Sequence, residues 1–537
     1  MTGQSADAVV NLERRDWRMA IALGAAFIVL TLTTVFVATA CGSFHDDAIY
    51  LSTAKSLAEG RGYHQINLPG SPAQTKYPVL YPLLLAVIWK VWPRFPENLW
   101  LMQGLTVCLG GLATTLMYAY LVRFRYASRQ LAFAATAIAV TTPLLLFVNS
   151  RLLSEMPFAV LLAAALWRVE LAVRSPANWR SQVLTGVIVG LPYLCRSAGI
   201  VLPVAALLVL AIRRRPLTAT IAGIAIAVGP WLYWSLTALG QWQQDNLVGY
   251  YTDYVGSWSV VASEPGRFIG WNLVYLPIST FGTSLLGLLM GTKWLFGWRL
   301  ATILLLLGTA TWLLILWRAL QVRLLAVFLA SYGALLLLWP WPPARFILPI
   351  LPFLLTFAGE SLGRPIRRAL PTLHPWVFRI LVILILGSNL VVDFKMGSVV
   401  RETQYPFAGV PDSTVEWRSY ESVFSWLRAN TLPSDRIASA LDGMVFLYTG
   451  RQSFRPFRHY PERLFYLAEG PKSGTAGEVW SALTGNRAKF LVVLPIPGFE
   501  AELSFAELVA ELRRTWPDRF VPRYVGRDPR FMVFEVR

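Results

Sequence analysis

Residues 19–50 read MAIALGAAFIVLTLTTVFVATACGSFHDDAIY, an apolar run of 26 residues, Met19–Phe44, followed by His45 and the acidic pair Asp46-Asp47. About 20 mostly apolar residues suffice to cross the hydrocarbon core as a helix. The run therefore reads as a membrane span with two carboxylates at its mouth. It is longer than the roughly 7–15 residue core of a secretory signal peptide. Ala38-Thr39-Ala40 does resemble a cleavage site, and the N-terminal sequence of the mature protein separates the two readings.

Working outward, the rest of the chain repeats the pattern. Of 537 residues, 55% are hydrophobic and 15% charged, with a mean hydropathy of +0.50. Soluble domains carry about 25% charged residues. This composition excludes an ordinary soluble enzyme, a disordered protein and a disulfide scaffold. The net charge of +18 would suit nucleic acid in a soluble protein, but here it belongs to basic loops between apolar runs. Residues 1–394 hold 29 Lys/Arg against 14 Asp/Glu, while residues 395–537 hold 19 against 16. The chain thus divides into a membrane part, 1–394, and a mixed-charge soluble part, 395–537. Cys41, Cys108 and Cys195 lie in apolar segments without metal-ligand spacing.

Further apolar runs fall at 98–122, 130–149, 157–173, 182–195, 197–212, 217–238, 299–317, 324–341, 346–359 and 376–392. Basic clusters separate many of them: Arg14/Arg15/Arg18, Arg123/Arg125/Arg129, Arg174/Arg180, Arg213–Arg215, Arg318/Arg323 and Arg364/Arg367/Arg368. Placing these in the cytoplasm predicts about eleven spans with the N-terminus inside. The segments 45–97, 149–157, 241–298 and 339–345 then lie outside, with the soluble part. Pro78–Trp92 reads as an interfacial helix, and 265–295 as a partly embedded loop. Residues 181–212 carry one charge, Arg196, between two basic flanks. They read as a helical hairpin whose arms, about 22 Å each, fall short of the roughly 30 Å core. A charge at such a tip needs a cavity or a partner.

Three acids stand at membrane level on the outer side: Asp46, Asp47 and Glu155. Helix capping is one reading, through Ser43-Phe44-His45-Asp46 as a capping box and Ser154-Glu155-Met156-Pro157 as a helix start. It does not account for the doubled acid, nor for the cations Lys76, Arg151, Arg196 and Arg345 on the same face. Taken singly, each cation reads most simply as an interfacial anchor, Arg196 excepted. Several cations beside carboxylates at the membrane edge suit a phosphate carried on a lipid.

Asp46-Asp47-Ala48-Ile49-Tyr50, then Ala54–Tyr63, then Lys76-Tyr77-Pro78-Val79-Leu80-Tyr81-Pro82-Leu83 resembles the first outer loop of GT-C glycosyltransferases, nearest to the protein mannosyltransferase and aminoarabinose-transferase group. Arg151–Pro157 is similar to the family's second acidic loop, Gly190–Gly199 to its Arg-bearing hairpin, and Arg345–Pro352 to its late Arg-x-x-x-Pro span. The family's Pro-Pro is Tyr77-Pro78 here, and its frequent Asp-Glu is Asp46-Asp47. The resemblance covers most of residues 45–355. It implies a mainly α, polytopic GT-C-like helical domain with a small C-terminal α/β domain. It also implies inverting transfer of a sugar from a polyprenyl-phosphate donor to a glycan, lipid or protein acceptor, at the outer face of a bacterial-type inner membrane. Asp46 would be the general base, with Asp47 and Glu155 orienting the acceptor or tuning the base. Lys76, Arg151, Arg196 and Arg345 would hold the donor phosphate. Metal use stays open: Asp46, Asp47, Glu155 and His45 (or His64) are candidates for a divalent magnesium or manganese ion.

In the soluble part, Ser419–Asn430 and Ala501–Thr515 read as helices, and Arg436–Leu441, Lys489–Leu494 and Phe531–Val536 as strands. His459 and Arg451/Arg455/Arg458/Arg463 could meet an acidic acceptor or headgroups, against a plainer reading as a solvated face. The competing class is a flippase for lipid-linked sugars. It needs no acidic pair at the first outer loop, and inverted repeats, expected in many transporters, are not evident. A non-catalytic scaffold leaves Arg196 unexplained.

Overall fold

The computed structural model describes residues 10–174, 178–238, 255–285, 298–369, 374–405, 415–458, 460–470, 474–495 and 505–537. Helix α1 spans Arg14–Thr34 and stops well before the apolar run does. The Thr31 and Thr34 hydroxyls bond back to the carbonyls of Phe27 and Leu30, and the β-branched Val35 and Val37 follow. Val35, Val37, Ala40 and Cys41 are buried. The end of the expected first span is thus core rather than lipid-facing helix.

The chain continues through α2 (Asp46–Ala58), α3 (Leu80–Val91), α4 (Leu99–Arg123), α5 (Arg129–Val140), α6 (Pro143–Asn149), α7 (Glu155–Arg174) and α8 (Trp179–Cys195). A 3-10 turn at Ser197–Ile200 leads into α9 (Val201–Ile212), and α10 follows at Thr218–Ala238. Then come α11 (Val255–Ser263), α12 (Pro265–Gly282), α13 (Trp298–Leu320), α14 (Leu324–Leu337), α15 (Leu351–Ala369) and α16 (His374–Thr403). Among the described residues six helices are long and apolar enough to cross a membrane, those within α1, α4, α7, α10, α13 and α16. A seventh comes from α5 and α6, bent by 67° where Pro143 opens a new helix. A count of eleven needs the shorter α8, α9 and α14 and the more polar α15 as well. The protein is a multi-pass membrane protein.

The hairpin expected at 181–212 forms, with Arg196 in extended backbone at its tip. Arm α8 lies against α10 so closely that a Cβ on Gly186 would sit 2.0 Å from the Thr220 carbonyl oxygen, and one on Gly223 would sit 2.1 Å from that of Val183. Small residues let membrane helices approach in this way. The stretch read as an embedded loop at 265–295 is corrected over its described part. Pro265–Gly282 is a continuous helix with Pro277 inside it, and Gly308 of α13 packs closely on the Pro277 carbonyl. Residues 286–297 lie outside the described residues, as does much of the 241–298 segment.

Helix α16 runs through residue 395 without a break. The C-terminal part then forms α17 (Trp417–Asn430), β1 (Ile437–Ser439), α18 (Asp442–Thr449), β2 (Ser453–Phe454), α19 (Pro461–Phe465), α20 (Ala476–Gly485), β3 (Phe490–Val493), α21 (Phe505–Thr515), β4 (Phe520–Val525) and β5 (Met532–Val536). The strand order is β2-β1-β3-β5-β4, with β1 parallel to β2 and β3, and β5 antiparallel to β3 and β4. Strand β4 is unforeseen because it is an edge strand carrying Pro522 and a bulge. This unit packs on the helical part. Tyr466 donates to Asn272 Oδ1 at 3.2 Å, and Tyr275 donates to the Phe465 carbonyl at 2.9 Å.

Candidate functional site

Helix α2 begins at Asp46. Its N-cap is His45, with φ 63° and ψ −53°, and no side-chain cap. The Asp46 N–H donates to the Phe44 carbonyl at 2.7 Å, which makes His45 the centre of a γ-turn with positive φ, a rare and strained conformation. The capping box expected at Ser43–Asp46 is therefore not what holds Asp46. Its carboxylate instead accepts the Tyr77 hydroxyl at Oδ1, 2.8 Å away, and meets Arg345 Nη1 at Oδ2, also at 2.8 Å.

Arg345 joins two acids. Its Nε donates to Glu155 Oε1 at 2.5 Å, and Arg196 Nη1 reaches the same oxygen at 3.0 Å. Arg196 also donates to Ser154 Oγ at 3.1 Å, as does the Tyr50 hydroxyl at 2.8 Å. The guanidiniums of Arg345 and Arg196 lie over the rings of Phe44 and Phe346, 4.6 and 5.1 Å from the centroids. Five chain segments thus meet here: the start of α2, the loop at Tyr77, the start of α7, the hairpin tip and the 339–345 loop. The Glu155 side chain is fully buried, while those of Asp46 and Arg345 are each 22% exposed, so the cluster opens along the Asp46–Arg345 edge. Glu155 Oε2 and Arg345 Nη2 are buried without a hydrogen-bond partner.

Burial works to raise the Asp46 pKa, but the Arg345 charge and the Tyr77 hydroxyl outweigh it and hold the carboxyl below the usual range. Burial works to lower that of Arg345, and the Glu155 and Asp46 carboxylates drive it up instead.

The other expected residues are distributed differently. Asp47 turns away, accepting the Gly42 and Ala48 N–H groups at 2.9 Å and the Cys41 thiol at 3.5 Å, and burial pushes its pKa up. Arg151 is not beside Arg196 and Arg345. It is buried, with Nη2 donating to the Val35 carbonyl at 2.7 Å and Nε to Ser150 Oγ at 3.0 Å. Lys76 flanks the hairpin tip, its carbonyl accepting Ser197 Oγ at 3.3 Å and its Nζ 6.0 Å from the Tyr77 ring centroid. His45 faces Asp442 of α18, with Nε2 3.4 Å from Oδ1. His64 pairs with the Ser71 carbonyl at 3.1 Å, away from the cluster. Arg451 and Arg455 donate to backbone oxygens inside the C-terminal unit. His459 lies outside the described residues.

A divalent cation does not fit this arrangement. Among the described residues no three His, Cys, Asp or Glu side chains converge. Arg345 occupies the space between Asp46 and Glu155, and Asp47 and His45 have turned to other partners. Tyr77, Tyr50, Ser154 and Asp442 are site residues that sequence reasoning passed over. Tyr77 lies inside the first outer loop, beside Pro78, and only the Asp46 contact marks it.

The sequence profile of the dolichyl-phosphate-mannose-protein mannosyltransferase family matches residues 76–234. No curated protein matches the chain. Among solved structures, the archaeal oligosaccharyltransferase AglB from Archaeoglobus fulgidus, in complex with an inhibitory peptide and a dolichol-phosphate, superposes with a TM-score of 0.53 at 13% identity, over 95% of this chain and 72% of that one. ArnT from Cupriavidus metallidurans in the apo state gives 0.52 at 14% identity, over 96% of each. The Archaeoglobus fulgidus oligosaccharyltransferase in complex with zinc and sulfate gives 0.51 at 14%, over 89% and 67%.

Proposed function

We propose that this chain, which has the GT-C glycosyltransferase fold, transfers a sugar from a polyprenyl-phosphate donor to an acceptor hydroxyl or amine, with inversion, at the outer face of a bacterial-type inner membrane. The observation that carries the reading is the Asp46–Arg345 pair, 2.8 Å apart, at a partly open edge where the loop, hairpin and late-loop residues meet. The dolichol-phosphate and peptide in the AglB complex support a lipid phosphate donor and a separate acceptor.

In this reading Asp46 takes the acceptor proton as the acceptor atom bonds to the anomeric carbon. The bond from that carbon to the phosphate oxygen breaks, and the lipid phosphate leaves with one more negative charge than the donor carried. Arg345, with its unsatisfied Nη2, Arg196 and Lys76 stabilise that charge as it develops. Arg345 links the two roles. While it pairs with Asp46 it weakens the base, and a donor phosphate that engages the guanidinium restores basicity. Glu155 aims both arginines. Asp47 and Arg151 act at one remove, by shaping the loop beneath Asp46. No step needs a metal ion. The membrane part, 1–394, holds these residues, and the C-terminal part lies outside with the acceptor.

The test is incubation of the protein in membranes with a labelled polyprenyl-phosphate sugar and candidate acceptors. Transfer that Asp46→Asn abolishes supports the reading. Movement of the lipid-linked sugar across the bilayer without transfer supports a flippase instead.

A further inference from the structure

The residue before Asp46 is held from the far end of the chain. Non-glycine residues keep a positive-φ turn such as that at His45 only where the surroundings over-determine it, and α18 supplies those surroundings. Asp442, its first residue, is buried and faces the His45 ring at 3.4 Å. Asn67 fixes Asp442 in turn, donating from Nδ2 to Oδ2 at 3.3 Å. The Asn67 carbonyl accepts the Ser453 N–H at 2.8 Å, and Gln452 donates to the Leu68 carbonyl at 3.2 Å. On the other side of the loop, the Tyr448 hydroxyl accepts the Cys41 N–H at 3.2 Å and donates to the Thr39 carbonyl. Two glycines permit this approach. A Cβ on Gly42 would fall 2.7 Å from that of Met444, and one on Gly443 would fall 2.5 Å from that of Ala48. Residues 39–48 are thus seated on α18, while Asn67 and Leu68 are tied to the start of the strand that follows it.

We propose that Asp442 is a positioning residue for the transfer reaction: through His45 it holds the γ-turn that aims the Asp46 carboxylate, so the C-terminal unit sets the geometry of the base without touching substrate. The inference rests on Asp46 being that base. It gives the C-terminal part a role inside the chemistry, distinct from acceptor capture. Asp442 touches neither Arg345 nor Tyr77, the two groups that bond the carboxylate directly, so its effect has to travel through the backbone at His45 and Asp46.

The test uses the full-length chain in lipid nanodiscs and compares Asp442→Ala, Asp442→Asn, His45→Ala and the Asp442→Ala/His45→Ala double variant. Asp442→Ala is expected to lower kcat about ten- to hundredfold, the scale of a displaced catalytic group, with KM for donor and acceptor within about twofold. Asp442→Asn, which keeps the shape and an acceptor oxygen, should keep most of the turnover. The two alanine variants should be far from additive in the double variant, as for residues acting as one unit. Amide hydrogen exchange should rise in Asp442→Ala over residues 42–50 and stay unchanged at the hairpin tip, 195–199. Wild-type kcat in Asp442→Ala, additive losses, or unchanged exchange over 42–50 overturns the proposal. The exchange readout needs no substrate, so the two failures are distinguishable. A wild-type chain that transfers nothing overturns the reading of function, while the seating of Asp46 by Asp442 is still decided by exchange.

Discussion

Helix α7 carries an acid–arginine cluster at each end, and the two are built differently. At the C-terminal end Glu170 pairs with Arg174 of the same helix turn and accepts the hydroxyls of Tyr126 at 2.6 Å and Tyr120 at 3.2 Å. Nearby Asp16 and Arg129 form another closed pair at 2.7 Å. At the N-terminal end Glu155 has no local partner. One of its oxygens takes two guanidiniums from distant segments, and the other takes none. The first arrangement satisfies its charges and pins helices together. The second leaves a donor nitrogen and an acceptor oxygen buried and unspent, beside the partly exposed Asp46–Arg345 edge. The two lie about 22 Å apart along the helix.

The comparison breaks most visibly at the Asp46 end. Asp46→Asn should cut transfer by about 10²–10⁴-fold, the usual worth of a general base, with normal expression and elution; near-normal turnover in a transfer assay would return Asp46 to a structural role. Arg345→Gln comes next, with a loss of about 10²-fold from the missing phosphate contact. It also sharpens the assignment through pH. Arg345 depresses the Asp46 pKa in the folded protein, so activity that needs the carboxylate persists below the usual carboxylate range and is lost as pH falls further. Removing Arg345 should move the acidic limb of kcat/KM to higher pH, and a limb that stays in place would point to another base.

At the other end Glu170→Ala should leave kcat unchanged and lower stability. Two tyrosine hydroxyls lose their acceptor, at about 1–3 kcal/mol each where they are left unsatisfied. Loss of transfer without loss of thermal stability would erase the distinction between the clusters. The smallest expected effect is that of chelation: because Arg345 sits where a bridging cation would, EDTA should leave the rate of the purified protein unchanged. Abolished transfer, restored by magnesium or manganese, would show that the carboxylates rearrange around a metal.

Much of this was legible in the sequence where charge is scarce. Arg196 stood alone among 32 residues between two basic flanks, so a hairpin with a partnered tip followed, and the partner is Glu155. Of the acids and cations Asp46, Asp47, Glu155, Lys76, Arg151, Arg196 and Arg345 read onto one face, Asp46, Glu155, Arg196 and Arg345 meet and Lys76 adjoins them. The run ending at Phe44 was misleading because burial beneath the C-terminal unit and burial in lipid select the same side chains. Arg151 and Asp47 share residue types with the site but are turned from it by local backbone contacts that spacing does not reveal. Asp442 lies 397 positions beyond His45 and carries no motif, so only packing brings it to the loop.

The most direct measurement is transfer by the purified protein in liposomes, using a polyprenyl-phosphate sugar of known anomeric configuration. The label should reach the acceptor with the configuration inverted, in wild type and not in Asp46→Asn. Transfer with retained configuration, or passage of the lipid-linked sugar across the bilayer with no product, would contradict the account.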